Sequence, residues 1–145
     1  MNTKNLFFSY YFKNSNEYGD IIQKLKDRGY FDFKNGSLNE ENPAQTTSQI
    51  KNDINAKIDW AGTVVVIIGP GTYTRSWVNY EIDYAAEKNK RIVGVYLYGQ
   101  SSSKIPSSLR TLKDNEYKEL ALVRWNTDSI VNAIRGTNSW DEGDK

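Results

Sequence analysis

Trp77 and Glu81 stand four residues apart in the stretch SWVNYEI, and on a helix that spacing sets an indole and a carboxylate on one side, one turn from each other. Such a pair suits the cleavage of an N-glycosidic bond. As that bond breaks, the ribose takes on oxocarbenium character, and a fixed anion stabilises the developing charge more than it stabilises the ground state. The same spacing is also what a solvated glutamate beside a packing tryptophan would show, because exposed glutamates are common on helices. Other chemistries are closed. The chain has no histidine and no cysteine, which excludes Ser-His-Asp and Cys-His catalysis, thiol nucleophiles, disulfides and the usual zinc sites. An enzyme built on it has to work with carboxylates, hydroxyls, amines or a bound cofactor, and no metal site is expected.

The pair follows a strand that is easy to read. Val64, Val65, Val66, Ile67 and Ile68 form a run too continuous for a half-exposed strand and too short and β-branched for a helix. A strand buried on both faces belongs to a parallel sheet covered by helices. Gly69, Pro70 and Gly71 then turn the chain outward, and Thr74 or Ser76 can cap a helix over residues 75–88. On that helix Val78, Ile82, Ala85 and Ala86 form the apolar stripe, with Trp77, Glu81 and Tyr84 on a neighbouring one.

The remaining elements alternate. Residues 6–11 read as a first strand, 16–29 as an amphipathic helix with Asn16 as its cap, and 30–33 as a brief aromatic strand. A polar loop over 34–45 leads to a capping box, Thr46 with Gln49, and a helix whose Ile50, Ile54 and Ile58 step by four. Asn89 ends the helix after the central strand in the left-handed conformation, 92–97 forms a second continuous apolar strand, Pro106 starts a short helix through Leu112, and 120–125 is the last strand. Thr127 or Asp128 caps a closing helix that turns Ile130, Val131 and Ile134 inward and stops at Gly136. The division expected is a domain over residues 1–136 and a polar, flexible tail over 137–145.

Five strand-helix alternations give an α/β three-layer sandwich with a five-stranded parallel sheet, most simply in the flavodoxin-like order 2-1-3-4-5. That order places the first strand beside the third and makes the crevice at their C-terminal ends the expected ligand site. Phe8, Ser9, Tyr10 and Tyr11 arrive there from one side. Gly69, Trp77 and Glu81 arrive from the other.

The chain has 145 residues, the size of one domain, and its 19 lysines and arginines against 18 acids leave a net charge of +1. That balance creates no field favouring nucleic acid or an anionic membrane, and no window is apolar for long enough to span a bilayer. A cytoplasmic protein is expected.

The segments NLFFSYYF and VVVIIGPGTYTRSWVNYEIDYAAEKNKRIVGVYLYG, with IDWAGT between them, resemble TIR (Toll/interleukin receptor) domains, and most of all the bacterial TIR-like group that includes the sensor subunit of the Thoeris antiphage system. Trp77 and Glu81 fit the W-x-x-x-E pattern in which enzymatic TIR domains carry their catalytic glutamate. The resemblance implies an enzyme that cleaves the nicotinamide-ribose bond of NAD⁺, with Glu81 catalytic and Trp77, Phe8, Ser9, Tyr10 and Gly69 lining the substrate crevice. NAD⁺ is then substrate, and no separate cofactor is implied. The family's products are ADP-ribose or cyclic isomers of it, the cyclic one serving as a messenger to a separate effector, and self-association is a further implied partner relation. Two other readings stand beside this one: a non-catalytic TIR-like interaction module, and a nucleoside deoxyribosyltransferase-like enzyme in which Glu81 is a covalent nucleophile. A response-regulator receiver would need an aspartate where Gly69-Pro70-Gly71 stands.

Overall fold

The apolar run at Val64 lies at the centre of a parallel sheet with strand order β2-β1-β3-β4-β5, the flavodoxin-like order expected. In the computed structural model, residues 3–11, 15–36 and 46–142 are described. The strands are β1 (Lys4–Ser9), β2 (Phe33–Asn35), β3 (Thr63–Ile68), β4 (Arg91–Tyr96) and β5 (Leu120–Val123). Between and after them run α1 (Ser15–Arg28), α2 (Thr47–Trp60), α3 (Ser76–Glu87), α4 (Ser107–Asp114) and α5 (Thr127–Ile134), and a 3-10 turn at Thr72–Thr74 lies ahead of α3.

All residues of β3 and β4 are buried, because both faces of the sheet are covered. Side chains alternate across the sheet. Leu6 and Phe8 point toward α1 and α5 and pack with Ile21, Leu25, Val131 and Ile134. Phe7 points toward α2, α3 and α4, where it meets Ile54, Ile58, Val78 and Ile82. Ser9, two residues on from Phe7, therefore faces the same helical layer as α3.

Local sequence explains most boundaries. Thr46 accepts a hydrogen bond from the backbone of Gln49 and the Gln49 side chain answers to the backbone of Thr46, completing the capping box and contributing about 1 kcal/mol to α2. Asn89 takes a φ of 59° where α3 ends, as expected.

Several boundaries differ from the sequence reading. β2 begins at Phe33 instead of Tyr30, because Gly29 and Tyr30 both adopt left-handed backbone and spend the residues after α1 on a turn. Tyr30 is left 85% exposed. The cap of α5 is Asn126, whose side chain accepts from the Ser129 backbone; Thr127 and Asp128 lie inside the helix. α1 begins at Ser15, so Asn16 is within its first turn. Much of the loop expected over 34–45 lies outside the described residues, while Lys34 and Asn35 belong to β2.

The segment after Gly136, expected as a polar tail, is docked as far as it is described. Leu122 in β5 donates to the carbonyl of Ser139 and accepts from the amide of Asp141, so the segment runs parallel along the outer edge of β5. Glu142 fastens its end. The carboxylate accepts from Arg110 at 2.6 Å and from the Trp140 indole at 2.9 Å, and its carbonyl accepts from the Tyr96 hydroxyl. This covers an edge strand that would otherwise present unpaired backbone.

Candidate functional site

β1 and α3 meet through two pairs of residues. The first is buried. Ser9 Oγ, at the C-terminal end of β1, donates to Glu81 Oε1 at 2.5 Å, and neither residue has any exposed surface. The second pair lies farther out, where Arg75, just before α3, stacks its guanidinium 3.9 Å from the ring centroid of Tyr11, just past β1. Two residues forward along β1 thus correspond to six residues back along α3.

The fold holds α3 in this position from three directions. Tyr80 donates to Asn55 at 2.6 Å and Tyr84 to Asp59 at 2.8 Å, which fixes α3 against α2. Burial, followed by the hydrogen bond to Asp59, pushes the Tyr84 phenol up to about 12. Asn79 ties α3 to what precedes and follows it: its amide nitrogen donates to the carbonyls of Tyr73 and Arg75, and its oxygen accepts from the Ser108 backbone and the Ser107 hydroxyl.

Residues 69–72 make the turn into α3 rigid. The Gly69 amide donates to the Thr72 hydroxyl at 3.0 Å, and the Thr72 amide donates back to the Gly69 carbonyl at 3.2 Å, with Thr72 fully buried. Gly71 supplies the left-handed residue, at a φ of 82°. The residue in the N-cap position of α3 is Arg75, in place of the Thr74 or Ser76 expected, and no side chain among the described residues caps the helix.

Glu81 lies on the buried stripe itself, with Val78, Ile82 and Ala85, and not on the neighbouring stripe that spacing suggested. A carboxylate in that place is expensive. Removing one from water costs several kcal/mol unless hydrogen bonds replace the lost hydration, and the Ser9 hydroxyl supplies one of them. No such penalty attaches to a solvated glutamate, so the solvated reading of this residue fails.

The other expected residues are placed unevenly. Trp77 is half-buried, packs on the core between the sheet and α2–α4, and meets Tyr80 edge-on at 5.8 Å. Gly69 is buried at the end of β3, next to the turn that leads to α3. Phe8 and Tyr10 belong to the opposite layer. Phe8 is 1% exposed and packs edge-to-face on Tyr18, and Tyr10 stacks on the same ring at 4.4 Å. The alternation along a strand separates both of them from the Ser9–Glu81 pair, although Tyr10, half-buried past the strand end, reaches the rim of the sheet.

A cleft of about 340 Å³ opens at that rim on the α1 side, lined by Tyr11, Glu17, Asp20, Pro70, Leu97 and Trp125 among others. Glu17 and Asp20 make no ion pair among the described residues. The contacts of Arg75 and Asn79 and the place of Glu17 and Asp20 on this cleft were not legible in the sequence. The one signal was position, an arginine at the start of α3 and aromatic residues just past β1.

A parallel 2-1-3-4-5 sheet covered by helices on both faces defines a flavodoxin-like α/β domain. The family described as "Thoeris protein ThsB, TIR-like domain" matches residues 7–102, well over half of the chain, and the chain belongs to it. It is similar to the Bacillus cereus (strain MSX-D12) protein named "Putative cyclic ADP-D-ribose synthase ThsB1", at 28% identity over 139 residues, covering 84% of this chain and 71% of that one. Among solved structures it is similar in fold to the Clostridium botulinum CMP N-glycosidase BcmB, with a TM-score of 0.56 and 14% identity, covering 91% of this chain and 97% of that one. No helix among the described residues is long and apolar enough to cross a membrane.

Proposed function

We propose that this chain is a cytoplasmic enzyme of antiphage defence that cleaves the nicotinamide-ribose bond of NAD⁺ and makes an ADP-ribose-derived signal, a cyclic isomer, read by a separate effector. The observation that carries this is the carboxylate of Glu81, buried at no exposure under the ligand-binding end of the sheet and hydrogen-bonded by Ser9. Family membership and the name of the Bacillus cereus relative support the substrate and product class.

In this reading the C1′–N1 bond breaks and its electron pair goes to the ring nitrogen, so the pyridinium leaves as neutral nicotinamide. The positive charge moves to the ribose. Glu81 stabilises it there, and a nucleophile then closes on C1′ and releases a proton. Water gives ADP-ribose, and a nucleophilic atom elsewhere on the same nucleotide gives a cyclic isomer. Trp77 walls in the nucleotide. Since Glu81 has no exposed surface here, the side chains over it have to move aside before a ribose can reach it.

Complete burial also favours a second reading, a non-catalytic module in which the Ser9–Glu81 pair only joins β1 to α3. Mass spectrometry of nucleotides from cells expressing the protein, with and without phage challenge, separates the two. Loss of NAD⁺ with accumulation of ADP-ribose or a cyclic isomer is expected. An unchanged nucleotide pool under challenge, with the protein present and folded, would leave the module.

A further inference from the structure

We infer that Arg75 is the residue that binds the diphosphate of a dinucleotide, through a guanidinium already held in place by the ring of Tyr11. The inference rests on the nucleotide reading of the site and adds to it the group that is recognised and the residue that recognises it.

Arg75 is exposed, yet its side chain is fixed at two points. Its Nε donates to the Gly71 carbonyl at 3.3 Å, and its guanidinium lies 3.9 Å from the Tyr11 ring centroid. Stacking and one hydrogen bond orient the plane while leaving both Nη groups unused among the described residues, and no carboxylate pairs with it there. The four ion-paired arginines of the described structure, Arg28, Arg91, Arg110 and Arg124, all have an acid within 4 Å. A planar fork with two outward donors and no internal counterion suits a phosphate oxygen pair, and little side-chain freedom remains to be lost on binding.

Its position suits the rest of a dinucleotide. Arg75 and Tyr11 form the outer pair of the β1–α3 contact and Ser9 and Glu81 the inner one, so the exposed guanidinium lies on the solvent side of the contact that buries the carboxylate. Arg75 and Glu81 are six positions apart, roughly 9 Å along a helix axis, a separation that a ribose and the phosphate beyond it can bridge.

Charge on the two sides of Tyr11 also gives direction. The cleft on the α1 side presents Glu17 and Asp20 and repels phosphates, whereas the α3 side presents Arg75. A diphosphate arriving at this rim is therefore directed toward α3.

Calorimetric titration of the full chain tests this without depending on turnover. ADP-ribose carries the diphosphate; adenosine is the probe without it. Arg75→Ala is expected to weaken ADP-ribose binding about 10-fold to 100-fold, the range for a charge-assisted hydrogen bond to an anion, and to leave adenosine binding unchanged. Arg75→Lys, which keeps the charge but not the fork, is expected to fall between the two proteins. Circular dichroism and a urea midpoint equal to those of the original protein show that the exposed substitution leaves the fold intact. Equal ADP-ribose affinity in the original and Arg75→Ala proteins would overturn the inference, as would equal weakening of both probes or no ADP-ribose binding by the original protein. Arg75-dependent binding without nicotinamide release from NAD⁺ would keep this inference and reject the enzymatic reading; nicotinamide release indifferent to Arg75 would do the reverse.

Discussion

Ser9→Ala removes a single hydroxyl from a site with no access to solvent, and its effect can be worked from the geometry. The hydroxyl donates at 2.5 Å to Glu81, both residues are fully buried, and alanine leaves the β1 backbone pairing with β3 unchanged. A hydrogen bond to a charged acceptor contributes about 1.5–3 kcal/mol, and its loss leaves a buried oxygen with less to replace its hydration. At about 3 °C per kcal/mol for a domain near this size, Ser9→Ala lowers the melting temperature by roughly 5–9 °C. Glu81→Gln changes the arithmetic. The glutamine oxygen can still accept from Ser9 but the bond becomes neutral, and the burden of burying a charge is relieved, so this variant is expected to melt at or above the original temperature. In the Glu81→Gln background, Ser9→Ala then costs only about 1 kcal/mol. Differential scanning calorimetry of the four proteins closes the cycle, with a coupling of about 1 kcal/mol expected between the two positions. Ser9→Ala with an unchanged melting temperature, or with the same cost in both backgrounds, would show that the hydroxyl does not stabilise the carboxylate.

Other consequences lie farther from the pair. A Cβ at Gly94 would stand 2.9 Å from Leu122, 3.1 Å from Leu109 and 3.2 Å from Ile68, so Gly94→Ala is expected to destabilise by about 1–3 kcal/mol through displacement of α4, read as a lower urea midpoint. Tyr84 titrates at about 12 in the folded chain against 10.0 for an ordinary tyrosine. Between these values the unfolded chain has released a proton that the folded chain retains, so stability falls as pH rises through the window. Denaturation followed from about pH 9 to 12 should show a shallower decline in Tyr84→Phe than in the original protein.

Buried strands and one capping box were the legible parts of the fold. β3 and β4 announce themselves because a strand covered on both faces has no polar positions to interrupt it, and the sheet has the flavodoxin-like order that strand-helix alternation suggested as the simplest. β2 has only three residues at the sheet edge, too few for a periodic signal, and the turn through Gly29 and Tyr30 absorbed the first of the aromatic residues that resembled a strand. The docking of Ser139, Trp140 and Glu142 depends on distant partners, Leu122, Tyr96 and Arg110, that no local pattern contains.

For the candidate site, the motif singled out Glu81 as a candidate, and spacing misjudged its surroundings. Positions 78, 81, 82 and 85 form one stripe, and a charged residue in such a set is ordinarily assigned to its margin. The Ser9 hydroxyl arriving from β1 gives it a hydrogen-bond partner in the interior. The strand alternation that brings Ser9 to Glu81 also directs Phe8 and Tyr10 to Tyr18 on the other side of the sheet. The Arg75–Tyr11 stack joins two loop residues far apart in sequence, and no periodicity reports such a contact.

Nicotinamide release from NAD⁺, measured by liquid chromatography and mass spectrometry on the original and Glu81→Gln proteins under the same conditions of assembly or triggering, tests the central claim most directly. The account predicts release by the original protein and a rate at least about 100-fold lower in a Glu81→Gln protein that is folded and no less stable. Equal rates in the two proteins would contradict it.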